Sequence, residues 1–360
     1  MTRIGVLTGD GIGPEIVPAA ITVAQAAAGA EGIGVEWVEL PFGRTAIDSH
    51  DNPVPDETLC ALDDLDVWVM GPHDSASYPT PHAERTPGAV IRTRYELFAN
   101  LRPARAFRGV RATARDIDVL IIRENTEGLY ADRNMFAGSG EFMPTPDVAL
   151  SVGVITRQAS ERIARVAFEA ACGRSSHVTI VHKANVLRLT TGLFRDVCLQ
   201  VAADFPDVVV DEQHVDAMAA HLVRRPSDFD VIVTENLFGD ILSDLAGELA
   251  GSLGLAASVN CSDTKVMAQA THGAAPDIAG RGLANPVAMI LSTAMAMRRH
   301  GVASSDGGLV AVAGRMEAAV ADTLAQSTAT ADLGGTATTR EFTETVVERI
   351  RGPGRRPSIR

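Results

Sequence analysis

The sequence has few cysteines and no long apolar stretch. No apolar run reaches about 18 residues, so no membrane-spanning helix is expected. The chain enters an apolar strand almost at once, so no signal peptide is expected either. No two cysteines form a CxxC pair, a usage typical of reduced thiols in a cytoplasmic protein. The four cysteines are Cys60, Cys172, Cys198 and Cys261.

Positive charge is also scarce. The 32 lysines and arginines are outnumbered by 45 acidic residues, which gives a net charge of −13. This balance disfavours nucleic acids and anionic membranes as partners. Anionic small molecules stay open, because a local arginine cluster is sufficient to bind them.

The chain is rich in apolar residues and in alternating strand and helix patterns. Hydrophobic residues make up 46% of its 360 positions, enough for the core of two domains or of one large α/β unit. Strands alternate with helices throughout, with no internal repeat and no low-complexity linker. This alternation predicts an α/β fold built in layers.

The most informative segment is residues 235–244. The apolar run 231–233 before it predicts a buried strand, which Gly239 is expected to end, with a helix beginning at Asp240. Asp240 and Asp244 are four residues apart, so their carboxylates share one helical face. Paired carboxylates suit Mg²⁺ or Mn²⁺. The alternative is a helix-capping aspartate followed by a solvated one, and other motifs are needed to decide.

Several such motifs accompany this segment. Residues 123–130 contain Arg123, directly after the apolar run 119–122, and Tyr130. Arg92 lies on a predicted helix, residues 89–98, and Arg102 follows it. A guanidinium group can hold a carboxylate with two hydrogen bonds, so these arginines suit a dicarboxylate.

Three further motifs lie elsewhere in the chain. Lys183 directly follows an apolar strand, and Asp216 offers a third carboxylate. A loop at residues 271–280 is followed by Asn285. The glycine-rich turn 9–15 is not a Rossmann phosphate loop, because that fingerprint would need Gly or Ala where Ile16 stands. It instead predicts a helix start at the proline of this turn.

Taken in order, from about Arg3 to about Ile350, these motifs resemble the β-decarboxylating dehydrogenases. That family includes the isopropylmalate, isocitrate, homoisocitrate, tartrate and D-malate enzymes. The resemblance implies an α/β, two-domain, isopropylmalate dehydrogenase-like fold that is not the Rossmann fold. It implies a discontinuous first domain, residues 1–97 plus 253–360, and a second domain, residues 98–252. An arm at about 131–150 would pair two subunits, so a homodimer or larger assembly is expected.

The resemblance also implies a role for each motif residue. Lys183 and Tyr130 would be catalytic, with the lysine pKa lowered by burial beside a metal and arginines. The metal ligands would be Asp240, Asp244 and, from a partner subunit, Asp216. The residues that would bind substrate are Arg92, Arg102 and Arg123. The residues that would bind the cofactor are His272, Gly273, Asp277, Ile278, Asn285 and, near the nicotinamide, Asn185.

The expected cofactors are NAD and Mg²⁺ or Mn²⁺, with a monovalent cation as an optional addition. NAD is favoured over NADP because a carboxylate at Asp277 would accept hydrogen bonds from the ribose hydroxyls and repel a 2′-phosphate. Two positions depart from the family pattern. His182 stands where isopropylmalate-type members usually have Asp, and Gln269 stands roughly where many members have Glu.

The substrate implied is a 3-substituted (2R)-malate, a dicarboxylate or tricarboxylate. The serine and asparagine that hold the third carboxylate of isocitrate are missing, and Thr86 and Gly88 stand about there. Gly88 and Ala89 replace two leucines of isopropylmalate enzymes and are expected to leave room. This favours 3-isopropylmalate, or a C3 group met by the loop 74–85, where Arg85 could serve an anionic group.

Three alternatives remain at this point. An isocitrate/homoisocitrate or tartrate/D-malate activity would use the same motifs with a different C3 group. A non-catalytic regulatory subunit would be expected to have lost some of the ligand or proton-transfer residues. A metal-binding module without redox chemistry would leave the loop from His272 to Asp277 unexplained.

Overall fold

The computed structural model describes residues 1–83, 86–130 and 134–352. Its strands are β1 (Thr2–Leu7), β2 (Val35–Glu39), β3 (Val67–Met70), β4 (Ala99–Arg105), β5 (Asp118–Glu124), β6 (Glu141–Thr145), β7 (Val148–Ser151), β8 (His177–His182), β9 (Val209–His214), β10 (Val231–Thr234), β11 (Val259–Cys261) and β12 (Val266–Ala268). Arg85, the first arm residues 131–133 and the tail 353–360 lie outside the described residues.

The helices cover both faces of the main sheet. They are α1 (Gly13–Glu31), α2 (Arg44–His50), α3 (Asp56–Asp63), α4 (Thr80–Ala83), α5 (Pro87–Arg94), α6 (Arg157–Cys172), α7 (Thr190–Ala202), α8 (Val215–Arg224), α9 (Asn236–Ala250), α10 (Val287–Ala303), α11 (Gly307–Ala325) and α12 (Thr339–Arg351). In the part of the chain that is described, no helix is long and apolar enough to cross a bilayer.

Ten strands form one mixed sheet in the order β2-β1-β3-β12-β11-β4-β5-β10-β8-β9. β11 runs antiparallel to both β12 and β4, and β4 is antiparallel to β5. The other neighbours are parallel. This topology confirms the predicted α/β class, with helices on both faces of a largely parallel sheet.

Side-chain alternation along each strand divides the core between the two faces. Val231 and Val233 of β10 join the large cluster that contains α1, α6, α7 and α10 to α12. Ile232 between them points the other way, into a cluster with α8 and α9. On β3, Trp68 and Met70 likewise face a third cluster beside α5. This period-2 alternation places α5 and α9, which carry Arg92 and Asp240, on the same face.

Two boundaries predicted from the sequence are wrong. The helix predicted at residues 89–98 spans Pro87–Arg94 instead. The helix that carries Asp240 begins at Asn236, and Gly239 lies inside its first turn instead of ending the strand. A Cβ on Gly239 would lie 2.6 Å from Cγ of Arg123. The glycine is therefore needed for close packing against the arginine, and not for an unusual backbone conformation.

The predicted arm contains an exposed β-hairpin. Among the residues that are described, β6 and β7 pair only with each other, apart from the ten-stranded sheet. Phe142 and Met143 are 49% and 61% exposed. An exposed apolar hairpin is typical of a surface that another chain covers. The predicted domain boundaries would fall beside the β11–β4 pair, and they stay a prediction.

Candidate functional site

The candidate site forms where parallel strands end. β5, β10, β8 and β9 are parallel neighbours, so their carboxyl ends share one edge of the sheet. Arg123 lies at the end of β5, in register with Thr234 of β10. Lys183 follows β8, and α9 follows β10. Crevices beyond the carboxyl ends of strands are the usual ligand sites of such sheets.

Asp240 is the centre of a charged cluster. Its Oδ1 accepts hydrogen bonds from Nη1 of Arg102 at 2.9 Å and from Nη1 of Arg123 at 2.5 Å. The Tyr130 hydroxyl donates to its Oδ2. Burial raises the pKa of Asp240, but the two guanidinium groups outweigh it and the net pKa is lowered. Asp240 is therefore ionised at neutral pH.

Both arginines are fixed by further contacts. The Arg123 side chain is only 2% exposed, its Nε donates to Asn236 Oδ1 at 2.9 Å, and its guanidinium lies 4.9 Å from the ring centroid of Tyr130. Arg102 is 8% exposed and donates from Nε to Asn100 Oδ1 at 2.5 Å. These contacts hold the guanidinium groups in one orientation.

Asp244 lies one turn beyond Asp240 on α9. Its Oδ1 is 3.6 Å from Nη1 of Arg102. Burial raises the pKa of Asp244, and Arg102 only partly offsets this. The two aspartates therefore share a face, as the four-residue spacing predicted, and compete for the same arginine.

A cavity of about 210 Å³ opens in front of this cluster. It brings together all three predicted substrate arginines, and Nη2 of Arg92 donates to Gln269 Oε1 at 2.7 Å. The residues that line it are Pro72, His73, Arg92, Arg102, Arg123, Tyr130, Asp240, Ser258, Gln269, Ala270, Thr271, His272 and Gly273.

Some lining residues were not predicted from the sequence as site residues. His73 comes soon after the carboxyl end of β3, and this position after a buried strand is a signal that could have found it. Ser258 precedes β11 and carries no such signal. The room expected at Gly88 and Ala89 is not there. Ala89 is fully buried, and a Cβ on Gly88 would lie 2.9 Å from Nε2 of His73.

Lys183 does not join this cavity. Its Nζ forms an ion pair with Asp216, and hydrogen bonding from Lys183 lowers the pKa of Asp216. Neither residue lines the cavity. Within one chain, Lys183 therefore lies apart from the arginines, and its predicted catalytic role stays a prediction. Asn185, two residues on, is exposed.

His182 is buried beside this pair. Its Nδ1 accepts a hydrogen bond from the amide of Ala184 at 3.1 Å, and Nε2 lies 3.7 Å from Glu212. Burial lowers the pKa of His182, against the effect of Glu212. The residue before the lysine is therefore an imidazole whose neutral form is favoured by burial.

The predicted cofactor loop packs on the glycine-rich turn. The amide of Ile12 donates to Ala274 O at 2.9 Å, and the amide of Gly280 donates to Glu15 Oε1 at 2.6 Å. A Cβ on Gly11, whose φ is +57°, would lie 2.0 Å from the same Ala274 oxygen. Glycine is therefore required where this turn meets the loop, and α1 begins at Gly13 with a proline in its first turn, as predicted.

The individual cofactor residues have different surroundings. His272 lines the arginine cavity with Gly273, and burial lowers its pKa. Asp277 is exposed and Ile278 half-buried. Asn285 is buried, and its Nδ2 donates to Asp332 at 2.9 Å. The loop therefore connects an exposed carboxylate at one end with the arginine cavity at the other.

The donor set suits a hard divalent cation only in part. Within the described ranges of one chain, no three His, Cys, Asp or Glu side chains are grouped as metal ligands. Asp240 and Asp244 supply two carboxylates, and Mg²⁺ sites commonly use one or two carboxylates with water and substrate oxygens. The chemistry of these donors therefore fits Mg²⁺ or Mn²⁺, and a third protein ligand would have to come from elsewhere.

Fold and site together define an α/β enzyme with a cationic, carboxylate-containing cavity at the ends of its strands. Residues 3–346 match the family described as isocitrate/isopropylmalate dehydrogenase. The chain belongs to this family of decarboxylating dehydrogenases, so the predicted resemblance is confirmed.

Relatives in this family carry different substrate names. An isocitrate/homoisocitrate dehydrogenase of Thermus thermophilus is 44% identical over 97% of this chain and 98% of its own length. A 3-isopropylmalate dehydrogenase of Archaeoglobus fulgidus is 41% identical over 96% and 98%. The crystal structure of an isocitrate dehydrogenase from Methylococcus capsulatus has a TM-score of 0.87 and 38% identity, covering 98% of this chain and all of that one.

Three glutamates are buried together behind the site. They are Glu124, Glu127 and Glu235. Glu127 accepts a hydrogen bond from the amide of Thr156 at 2.8 Å, whereas Oε1 of Glu235 has no hydrogen-bond partner among the residues described. Burial, with repulsion from Glu127 and Glu124, raises the pKa of Glu235 to about 8. Burial likewise raises the pKa of Glu127 to about 7.

This cluster predicts how stability depends on pH. Because the pKa of folded Glu235 lies above its ordinary value of 4.5, the folded state binds more protons between those two values. Its contribution to the free energy of unfolding is therefore full below about pH 4.5 and is lost as the pH rises through about 8. Glu235→Gln should reduce the fall in the free energy of unfolding as the pH rises. Urea unfolding at several pH values measures this fall. Glu161→Gln, on the exposed face of α6, is the control, and equal slopes in both variants would contradict the assignment.

Proposed function

We propose that this chain catalyses the metal-dependent oxidative decarboxylation of a 3-substituted (2R)-malate with NAD. The observation that carries the proposal is the cavity in which Arg92, Arg102 and Arg123 converge beside Asp240 and Tyr130. Among the described residues, these three guanidinium groups meet two carboxylates, Asp240 in the cavity and Asp244 at 3.6 Å from Arg102, which leaves positive charge in excess. A dicarboxylate fits this excess, since it can take two-pronged hydrogen bonds from the arginines.

The cavity residues have distinct tasks in this reaction. Arg92, Arg102 and Arg123 bind and orient the two carboxylates. A bound divalent cation would supply a Lewis acid for the C2 oxygen, and bound NAD would supply the acceptor for the C2 hydride. Asp240 and Asp244 would hold the metal from this chain. Loss of carbon dioxide leaves an enolate, whose carbon Tyr130 would protonate.

The remaining groups would come from a second copy of the chain. Lys183 and Asp216 are paired with each other outside the cavity, so one chain lacks both the base for the C2 hydroxyl and the third carboxylate. In a homodimer, each copy would contribute this pair to the other copy's cavity. The exposed hairpin of β6 and β7 is the surface we assign to that contact.

The cofactor would lie along the loop 271–280 and the turn that packs on it. His272 places one end of this loop at the arginine cavity, where hydride transfer must occur. Asp277 at the other end is exposed and would accept hydrogen bonds from the adenosine ribose. Residues 1–97 with 253–360 would form this cofactor-side domain, and residues 98–252 would form the other.

The C3 substituent is the open part of the proposal. The sequence favours 3-isopropylmalate, with isocitrate, homoisocitrate, tartrate and D-malate as alternatives. The relatives' names support both the isopropylmalate and the isocitrate/homoisocitrate choices. A regulatory role is disfavoured because every predicted ligand and proton-transfer residue is present. NADH absorbance with Mn²⁺ and this panel of malates tests the activity directly.

Complementation tests the shared site. Asp240→Asn and Lys183→Met should each be inactive, because each removes one half of every site. Refolding the two variants together should restore about a quarter of wild-type activity, since half of random dimers carry one intact site of two. NADH formation measures the recovery. Each variant refolded alone is the control, and a mixture that stays inactive while forming mixed dimers would contradict the arrangement.

Cofactor choice tests the adenosine end. NAD should give a higher kcat/KM than NADP, because the Asp277 carboxylate repels a 2′-phosphate. Asp277→Asn removes that charge and should therefore lower the ratio of kcat/KM with NAD to kcat/KM with NADP. Steady-state kinetics with both cofactors would measure this ratio. Asp322→Asn, an exposed acid on α11, should leave the ratio unchanged. A wild-type preference for NADP would refute this role of the loop.

A further inference from the structure

An imidazole occupies the place where a side chain on α5 would project. Gly88 lies in the first turn of α5, four residues before Arg92, so both positions share one helical face. A Cβ built on Gly88 would lie 2.9 Å from Nε2 and 3.6 Å from Cδ2 of His73. Any larger residue at position 88 would therefore displace the ring. The position of the His73 ring therefore depends on the absence of a side chain at Gly88.

The His73 ring lies on a loop that is itself fixed by hydrogen bonds. Nδ1 of His73 lies 2.8 Å from Oγ of Ser75. The buried carboxylate of Asp10 accepts hydrogen bonds from the amide of Asp74 at 2.9 Å and from the hydroxyl of Tyr78 at 2.5 Å. On the other side of His73, the Pro72 carbonyl accepts from the amide of Asp10 at 2.8 Å, so the backbone before and after His73 is tied to the glycine-rich turn. In the tautomer in which the Ser75 hydroxyl donates to Nδ1, the imidazole carries its proton on Nε2.

The cavity around this ring is polar. Besides His73, its lining includes three arginines, Ser258, Gln269 and Thr271, and it includes no Leu, Ile, Val or Phe from the described residues. An apolar substituent would remove these polar groups from water without offering hydrogen bonds in return. A substituent that carries oxygen would satisfy them.

We propose that His73 determines substrate specificity by donating a hydrogen bond from Nε2 to an oxygen on the C3 substituent. The preferred C3 group is therefore a hydroxyl or a carboxylate-bearing arm, and not isopropyl. A malate held by Arg92 would have its C3 group directed along α5 towards Gly88, where the imidazole stands. The inference rests on the proposed function and specifies the substrate class of the same site.

The test compares (2R)-malates that differ only at C3. The panel holds D-malate, 3-isopropylmalate, tartrate as the hydroxyl arm, and isocitrate and homoisocitrate as the carboxylate arms. In the wild type, at least one oxygen-bearing member should exceed 3-isopropylmalate about tenfold in kcat/KM. His73→Leu should lower the ratio of that substrate to D-malate about tenfold, the effect of one unmade hydrogen bond in a desolvated site.

Two further variants separate specificity from folding. His73→Gln retains an N–H donor and should restore most of the ratio. Gly88→Ala leaves the imidazole present but displaces it, so it should lower the ratio even if the leucine variant does not fold. His82→Leu is the matched control, because the His82 ring contacts Asp51 instead of the cavity.

The outcomes distinguish this inference from the proposed function. If no member of the panel yields NADH, the proposed function fails. If the panel is oxidised but the wild type prefers 3-isopropylmalate tenfold, only the role of His73 is overturned. An unchanged ratio in both His73→Leu and Gly88→Ala overturns it equally. The oxygen-bearing substrate that depends on His73 identifies the substituent as hydroxyl or carboxylate.

Discussion

The ion pair of Asp240 with Arg102 and Arg123 is the interaction on which the site depends. Both guanidinium groups are almost fully removed from water, and a buried charge without a partner costs several kcal/mol. One carboxylate oxygen accepts from both, so its removal would take a charged partner from each arginine at once. Gly239 allows α9 to approach Arg123 closely enough for this contact, because a Cβ there would lie 2.6 Å from Cγ of Arg123.

That same carboxylate connects the separate tasks of the cavity. Its second oxygen accepts from Tyr130, the proposed proton donor. It also lies one helical turn from Asp244, with which it offers an oxygen face to a divalent cation. The arginines remain in excess over it, so the cavity keeps positive charge for a substrate. Substrate binding, metal binding and proton transfer therefore all depend on one side chain.

Much of this arrangement could be predicted from sequence, because the relevant signals are local. Apolar runs of three or four residues predicted the buried strands, and a four-residue spacing placed Asp240 and Asp244 on one helical face. These two inferences need only the period of a helix and the length of an apolar run. The roles of the arginines on β4 and β5 were implied by the family resemblance, and they meet because those strands are antiparallel neighbours.

The rest depended on contacts between distant segments. The start of α9 was misplaced because Gly239 was interpreted by its backbone freedom, whereas it is required by the side chain of Arg123, 116 positions earlier. The space expected at Gly88 was filled by His73 from another loop. Within one chain, Lys183 pairs with Asp216 because β8 and β9 are neighbours. No local pattern contains these pairings.

The central claim is that Asp240 organises both the arginines and a divalent cation, and a Mn²⁺ titration followed by electron paramagnetic resonance tests it most directly. Asp240→Asn should weaken Mn²⁺ binding about tenfold or more, because a neutral amide replaces an anionic oxygen ligand. Asp64→Asn removes an exposed carboxylate at the end of α3, distant in sequence from Asp240, and this variant should bind Mn²⁺ as the wild type does. Unchanged affinity in a folded Asp240→Asn protein would contradict the account.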